Sequence, residues 1–184
     1  MTGEIVAVFD ASGKVVGAAP RGEVRARNLR HGATAILVLN SKGEVLLHRR
    51  TATKDVYPRR YDFAVGGVLQ AGEDPTGSAL RELAEEVGVH DAPLRRLGPP
   101  RSYSDEHTRY IAFCYEAHWD GPVRAQPEEV EELRWVPIAE VASRLHDPGW
   151  ELMPDSVDLL GWRLLELAVQ TSTATGRERS PSGR

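Results

Sequence analysis

Thiols are nearly absent: Cys114 is the one cysteine in 184 residues. That excludes an intramolecular disulfide framework and any zinc or iron–sulfur centre built on several thiolates. Long apolar runs are missing too. The longest aliphatic stretch, Ala33 to Leu39, is far too short to cross a bilayer. The first ten residues carry Glu4 and Asp10 and no basic-then-apolar pattern, so neither a membrane span nor a secretory leader is predicted and the protein is placed in the cytoplasm. Lysine is scarce, at three of the 23 basic residues, and we read this Arg bias as having no functional weight. Nor is there an excess of positive charge. The formal net charge of −4 gives no field to gather nucleic acid, so any anionic substrate needs a local cationic site.

What is present describes a globular chain. The composition is 41% hydrophobic and 27% charged, which fits one globular domain with short appendages. We divide it into an N-terminal hairpin and connector (1–30), a main domain (31–169) and a tail (170–184) of Ser, Thr, Gly and Arg with nothing to bury, predicted to be disordered. No repeat is found. The first hairpin turns at Asp10-Ala11-Ser12-Gly13 and a second at Asn40-Ser41-Lys42-Gly43, between a buried strand (Ala33 to Leu39) and Glu44 to Arg49. A loop follows at 51–60, then a strand from Asp62 to Leu69 containing Gly66 and Gly67, which imply a bulge or a close backbone approach. Asp74 as cap, Pro75 at the first position and Gly88 past the end delimit a helix from Pro75 to Val87. Strands near 95–103, 109–118 and 131–136 and helices near 137–146 and 155–169 complete the prediction.

The chemistry is concentrated in Gly66 to Val89. On a helix, Leu80, Leu83, Ala84 and Val87 make an apolar stripe and Glu82, Glu85 and Glu86 a roughly opposite acidic one. Carboxylates at such spacing repel one another and are eased by a hard divalent cation, Mg²⁺ or Mn²⁺, with phosphate oxygens completing its coordination. Taken alone, the helix could equally be an ordinary one with a solvated acidic face. The preceding loop decides between them. Gly67, Glu73, Arg81, Glu82, Leu83, Glu85, Glu86, Gly88 and Val89 reproduce every fixed position of the box of the Nudix hydrolases, which this chain therefore resembles. Outside the box, Leu29 to Thr34, Arg49 to Asp55 with Pro58, and Glu131 to Val136 look like the branch similar to isopentenyl-diphosphate isomerase.

The resemblance implies a Nudix α/β/α sandwich with a mixed sheet, preceded here by the N-terminal β-hairpin. It implies hydrolysis of a nucleoside diphosphate linked to another group by metal-activated water, and a homodimer is common in such proteins. Carried over by position, Glu82, Glu85, Glu86 and the Gly66 carbonyl would hold Mg²⁺ or Mn²⁺. Glu82, Arg81 and Glu129 would act on the reaction, while Gly67, Glu73 and Arg81 would fix the carboxylates. Glu128 shares with Glu129 the candidacy for the acid from outside the box, although both sit in an acidic run that reads equally well as solvated surface. Arg50, Lys54 and Arg60, from a cluster that includes Arg49 and Arg59, are weak candidates for binding substrate phosphate. His31, His48, His107 and His118 lack metal-ligand spacing, and Cys114 reads as core. Tyr57, Tyr61, Tyr103, Tyr110 and Trp119 are candidates for stacking on a base. Two alternatives stand beside the hydrolase. One is an isomerase of isopentenyl-diphosphate type, whose chemistry uses a Cys absent from Asp62 to Leu69; the other is a ligand sensor without turnover, which would not need an intact box.

Overall fold

The computed structural model describes residues 4–54 and 56–177. It opens with the predicted hairpin, β1 (Ile5–Phe9) and β2 (Val15–Pro20), turned by Asp10, whose carboxylate accepts from the Ser12 and Lys14 N–H groups. A short helix, α1 (Arg21–Ala26), follows. These elements are stitched to the rest of the chain by main-chain bonds: Phe9 N–H donates to the Arg30 carbonyl, Ala7 N–H to Leu69, and Ala71 N–H to Ile5. Phe9 also buries its ring with Leu69 and Ile111.

The central strand is β3 (His31–Leu39), buried at every position. It has neighbours on both edges and helices over both faces, which is why its sequence is a continuous apolar run. One edge pairs in parallel with β8 (Arg109–His118) from His31↔Tyr110 to Leu39↔His118. The other is shared in succession by β1 at His31, by residues 65 and 68 at Ile36 and Ala33, and by β4 (Glu44–Arg50) at Leu39. The second hairpin therefore closes as predicted but separates after Leu39↔Val45. Beyond that pair β4 joins β5 (Tyr61–Asp62) and β9 (Val130–Pro137). The outer edge of β8 carries β6 (Leu94–Arg96) and β7 (Arg101–Ser104).

Alternation along β3 builds two cores. Ile36 and Val38 pack with Ala79, Leu83 and Val87 of helix α2 (Pro75–Val87). Leu37 and Leu39 face the other way, toward Val141 of α3 (Ile138–Ser143) and Leu159, Leu160 and Leu164 of α4 (Pro154–Arg177). The architecture is an α/β/α sandwich around a mixed sheet.

Three expectations are corrected. The strand predicted from Asp62 to Leu69 is regular only through Asp62. Beyond it the Val65 and Gly67 carbonyls accept from Ile36 and Thr34, while Gly66 between them is passed over in a bulge. The tail predicted to be disordered from 170 continues α4 to Arg177, since extending an existing helix needs no new nucleus; residues 178–184 lie outside the described residues. The buried stripe of α2 is also rotated from the expected one: Leu80 is 39% exposed, whereas Ser78, Ala79, Glu82, Leu83 and Val87 are buried. Two of the three acidic positions, Glu82 and Glu86, thus flank the packed face and do not oppose it.

The ends of α2 are set by the residues that predicted them. The Asp74 carboxylate accepts from the Thr76 and Gly77 N–H groups at 3.0 Å, and Gly88 closes the helix in the left-handed conformation at φ 68°. Asp74→Ala should lower stability by about 1 kcal/mol, measured as a shift of the urea midpoint without a change in slope.

Candidate active site

The loop before α2 and the helix itself are tied together by Arg81. Its guanidinium donates through Nε and Nη2 to the two oxygens of Glu73 (2.9 and 3.1 Å) and through Nη1 to Glu82 Oε1 (2.7 Å) and Glu85 Oε2 (3.2 Å). Glu73 also accepts from Gln70 N–H, which fixes the turn. These bonds to Arg81 hold the Glu73 carboxyl below the ordinary carboxylate range. Arg81 thus ties three carboxylates together, those of Glu73, Glu82 and Glu85, and its planar fork suits that task.

Gly67 lies against Glu82. A Cβ there would sit 2.4 Å from Glu82 Oε1 and 2.7 Å from Oε2, so only glycine lets the carboxylate lie under this backbone. Burial raises the Glu82 pKa. Glu86 is more exceptional: its side chain has no hydrogen bond or ion pair among the described residues. Burial first, and then the proximity of Glu82, push its carboxyl up to about 8. Glu82, Glu85, Glu86 and Gly66 line one cleft of about 530 Å³. Because its neighbours' carbonyls are taken by β3, the Gly66 carbonyl is left out of the ladder.

The 51–60 loop supplies the opposite wall. Lys54 and Arg50 line the cleft, as do Glu128 and Glu129, and Lys54 is ion-paired with Glu129. Burial, then the charge of Arg50, push the Lys54 ammonium down to about 8. Arg50 is anchored by the carbonyls of Val56 and Tyr57 (3.1 and 3.2 Å). Arg60 departs from its assignment. It does not line the cleft: its guanidinium donates to the Leu152 carbonyl and lies over the Tyr57 ring. Among the described residues no group of three or more His, Cys, Asp or Glu side chains is by itself placed to hold a metal ion; Arg81 engages Glu82 and Glu85, and Lys54 engages Glu129.

The deep end of the cleft was not foreseen. Asp62 accepts from Ser156 Oγ (2.6 Å) and Ala64 N–H (2.9 Å), and Asp155 accepts from Tyr110 Oη (2.7 Å). Strands β5 and β8 and helix α4 meet here although Asp62 and Asp155 are remote in sequence; a charged residue, Asp62, at the start of an apolar strand was the only signal. Burial pushes Asp62 up to about 6, and burial together with Asp62 does the same to Asp155. The folded state therefore holds more protons than the unfolded chain between the ordinary carboxylate value and about pH 6, and stability falls as pH rises through that window. Asp155→Asn should melt roughly 4 °C or more above the parent at pH 7.5 and lose that advantage at pH 4, as thermal melts at both values would reveal.

The remaining candidates divide. Tyr57, Tyr110 and His31 line the cleft, whereas Tyr61 stacks on Trp150, Trp119 packs beside the α2 core, and Tyr103 donates to Asp105. His48 is buried, and its pKa is pushed down to about 3 by desolvation. Cys114 is 2% exposed within the α4-side core, so the cleft contains no thiol.

The NUDIX domain family matches residues 29–158. A Nudix hydrolase of Rhodococcus erythropolis is 37% identical over 166 residues, covering 85% of this chain and 90% of the relative. One from Pseudomonas aeruginosa is 43% identical over 134 residues (72% and 78%), and YfcD of Escherichia coli K12 is 35% identical over 175 residues (93% and 94%). In fold, the chain resembles the crystal structure of DR0079 from Deinococcus radiodurans, with a TM-score of 0.73, 24% identity and coverage of 88% and 99%.

Proposed function

The chain belongs to the Nudix hydrolase family, and from that premise we propose that it hydrolyses a diphosphate linkage in a nucleoside diphosphate derivative with the aid of Mg²⁺ or Mn²⁺. The observation that carries this reading is Glu86: a carboxylate with no hydrogen bond or ion pair among the described residues, beside Glu82, in a cleft that it shares with Lys54 and Arg50. Carboxylate oxygens and a backbone carbonyl are the donor set a hard divalent ion prefers, and Glu82, Glu85, Glu86 and the Gly66 carbonyl would hold it. The bound ion would supply charge neutralisation at phosphoryl oxygens and a more acidic water.

The chain's own residues do the rest. Arg81 and Glu73 hold Glu82 and Glu85 in a fixed orientation, so little reorganisation is needed during the reaction. Lys54 and Arg50 offer positive charge to the substrate's phosphates. A phosphate that draws Lys54 away from Glu129 frees that carboxylate to take the proton of the attacking water. The water oxygen bonds to phosphorus as the anhydride P–O bond breaks.

Product analysis is the test, for nucleoside monophosphate, phosphate ester, phosphate or pyrophosphate formed from nucleoside di- and triphosphates, nucleotide sugars, dinucleoside polyphosphates and isopentenyl diphosphate, with Mg²⁺, with Mn²⁺ and with chelator. Product formation from one class that stops with chelator is expected. Binding without turnover at every metal concentration would overturn the reading in favour of a sensor.

A further inference from the structure

The cleft has two chemically different ends. Near α2, cations face carboxylates. At the deep end, formed by His31, Asp62, Tyr110, Asp155 and Ser156, the donors are already engaged: Ser156 Oγ with Asp62, Tyr110 Oη and the Ser156 N–H with Asp155. What this end still offers is acceptor capacity, since each carboxylate can take several hydrogen bonds.

His31 is an independent sign of the same need. It is 7% exposed, and its Nδ1 lies 3.1 Å from the Leu29 carbonyl. A carbonyl only accepts, so Nδ1 carries the proton. Burial lowers the His31 pKa, which leaves the ring neutral and Nε2 with a free lone pair. That nitrogen has no hydrogen bond among the described residues, and the ring lines the cleft 5.6 Å from the ring of Tyr110, whose hydroxyl binds Asp155. A neutral ring nitrogen with its lone pair open to the cleft accepts a hydrogen bond from a ligand hydroxyl and offers none.

We propose that this deep wall is a sugar-recognition subsite, in which His31 Nε2, Asp62 and Asp155 accept hydrogen bonds from the vicinal hydroxyls of the substrate. The proposal rests on the hydrolase reading only in taking the guest to be a sugar-bearing phosphate. Two carboxylates repel a phosphate, and Arg21 and Arg25 of α1, which line the same cleft, disfavour a cationic guest. A diol supplies two donors without charge, and an acidic residue accepting from ribose hydroxyls is a recurrent arrangement.

The test is calorimetric binding, with Mg²⁺ present, of the four ribonucleoside 5′-diphosphates and their 2′,3′-dideoxy counterparts. Loss of the hydroxyls should weaken binding about 10-fold or more in the parent protein. That ratio should approach unity in Asp62→Ala and in His31→Phe, with folding checked by circular dichroism, and should persist in His31→Gln, which keeps an acceptor. Equal affinities in the parent, or an unchanged ratio in both of the first two variants, would overturn the subsite. So would tighter binding of 2′-amino analogues than of the ribonucleotides, which would make the wall a cation site. Hydrolysis of an alkyl diphosphate with no preference for hydroxylated substrates would remove the subsite and spare the hydrolase. A hydroxyl preference in binding without hydrolysis of any compound would do the reverse.

Discussion

Glu86→Gln should fold normally and lose almost all turnover, with kcat down about 10³-fold or more, the several kcal/mol expected of metal-assisted charge stabilisation. The amide has the shape of the carboxylate but not its charge. Glu86 makes no ion pair among the described residues and feels Lys54 and Arg50 only through space, so the fold should tolerate the loss of its charge. The second readout is thermal. Mn²⁺ should raise the melting temperature of the parent, because an ion that binds only the folded state stabilises it by mass action, and should fail to do so in the variant. Glu85→Gln provides the contrast. Glu85 is 55% exposed and tied to Arg81, so its loss should be the milder one. A Glu86→Gln protein retaining more than a tenth of the parent's activity would remove Glu86 from the ion site.

The box helix was legible because its information is local. Asp74, Pro75 and Gly88 set its ends, and the i, i+3, i+4 spacing of Glu82, Glu85 and Glu86 placed the carboxylates on one side. What periodicity could not settle was which edge of that side turns inward, and the actual stripe includes Glu82 and excludes Leu80. The two hairpins were legible in the same local way, whereas the sandwich followed from the resemblance to the Nudix hydrolases. Less so was the division of the β3 edge among β1, residues 65–68 and β4, since pairing partners distant in sequence leave no local mark. The deep wall was least legible. Asp62 reads as the first residue of a strand and Asp155 as the start of a helix, and either role is complete without the other. Only the folded chain brings them together with Ser156 and Tyr110. Arg60 erred in the opposite direction: charge and neighbourhood suggested the cleft, but its guanidinium is taken by the Leu152 carbonyl and the Tyr57 ring.

The adjacent glycines of the bulge should separate stability from activity. At Gly66 an added Cβ would lie 2.0 Å from the Thr34 carbonyl oxygen and 2.8 Å from its carbon. Those atoms belong to β3, which is held along its other edge by β8 over its whole length and cannot recede. Gly66→Ala should therefore cost about 3 kcal/mol or more, at the upper end for overpacking, because the obstacle is backbone. At Gly67 the obstacle is the Glu82 carboxylate, the end of a side chain that can swing aside. Gly67→Ala should cost about 1 kcal/mol yet lower kcat about 10²-fold, since Glu82 would leave the position in which Arg81 holds it. Urea unfolding and steady-state kinetics on the two proteins decide the matter. If Gly67→Ala proved the less stable while keeping full activity, Glu82 would not be needed where it lies, and the chemistry would have to be assigned to Glu85 and Glu86 without it.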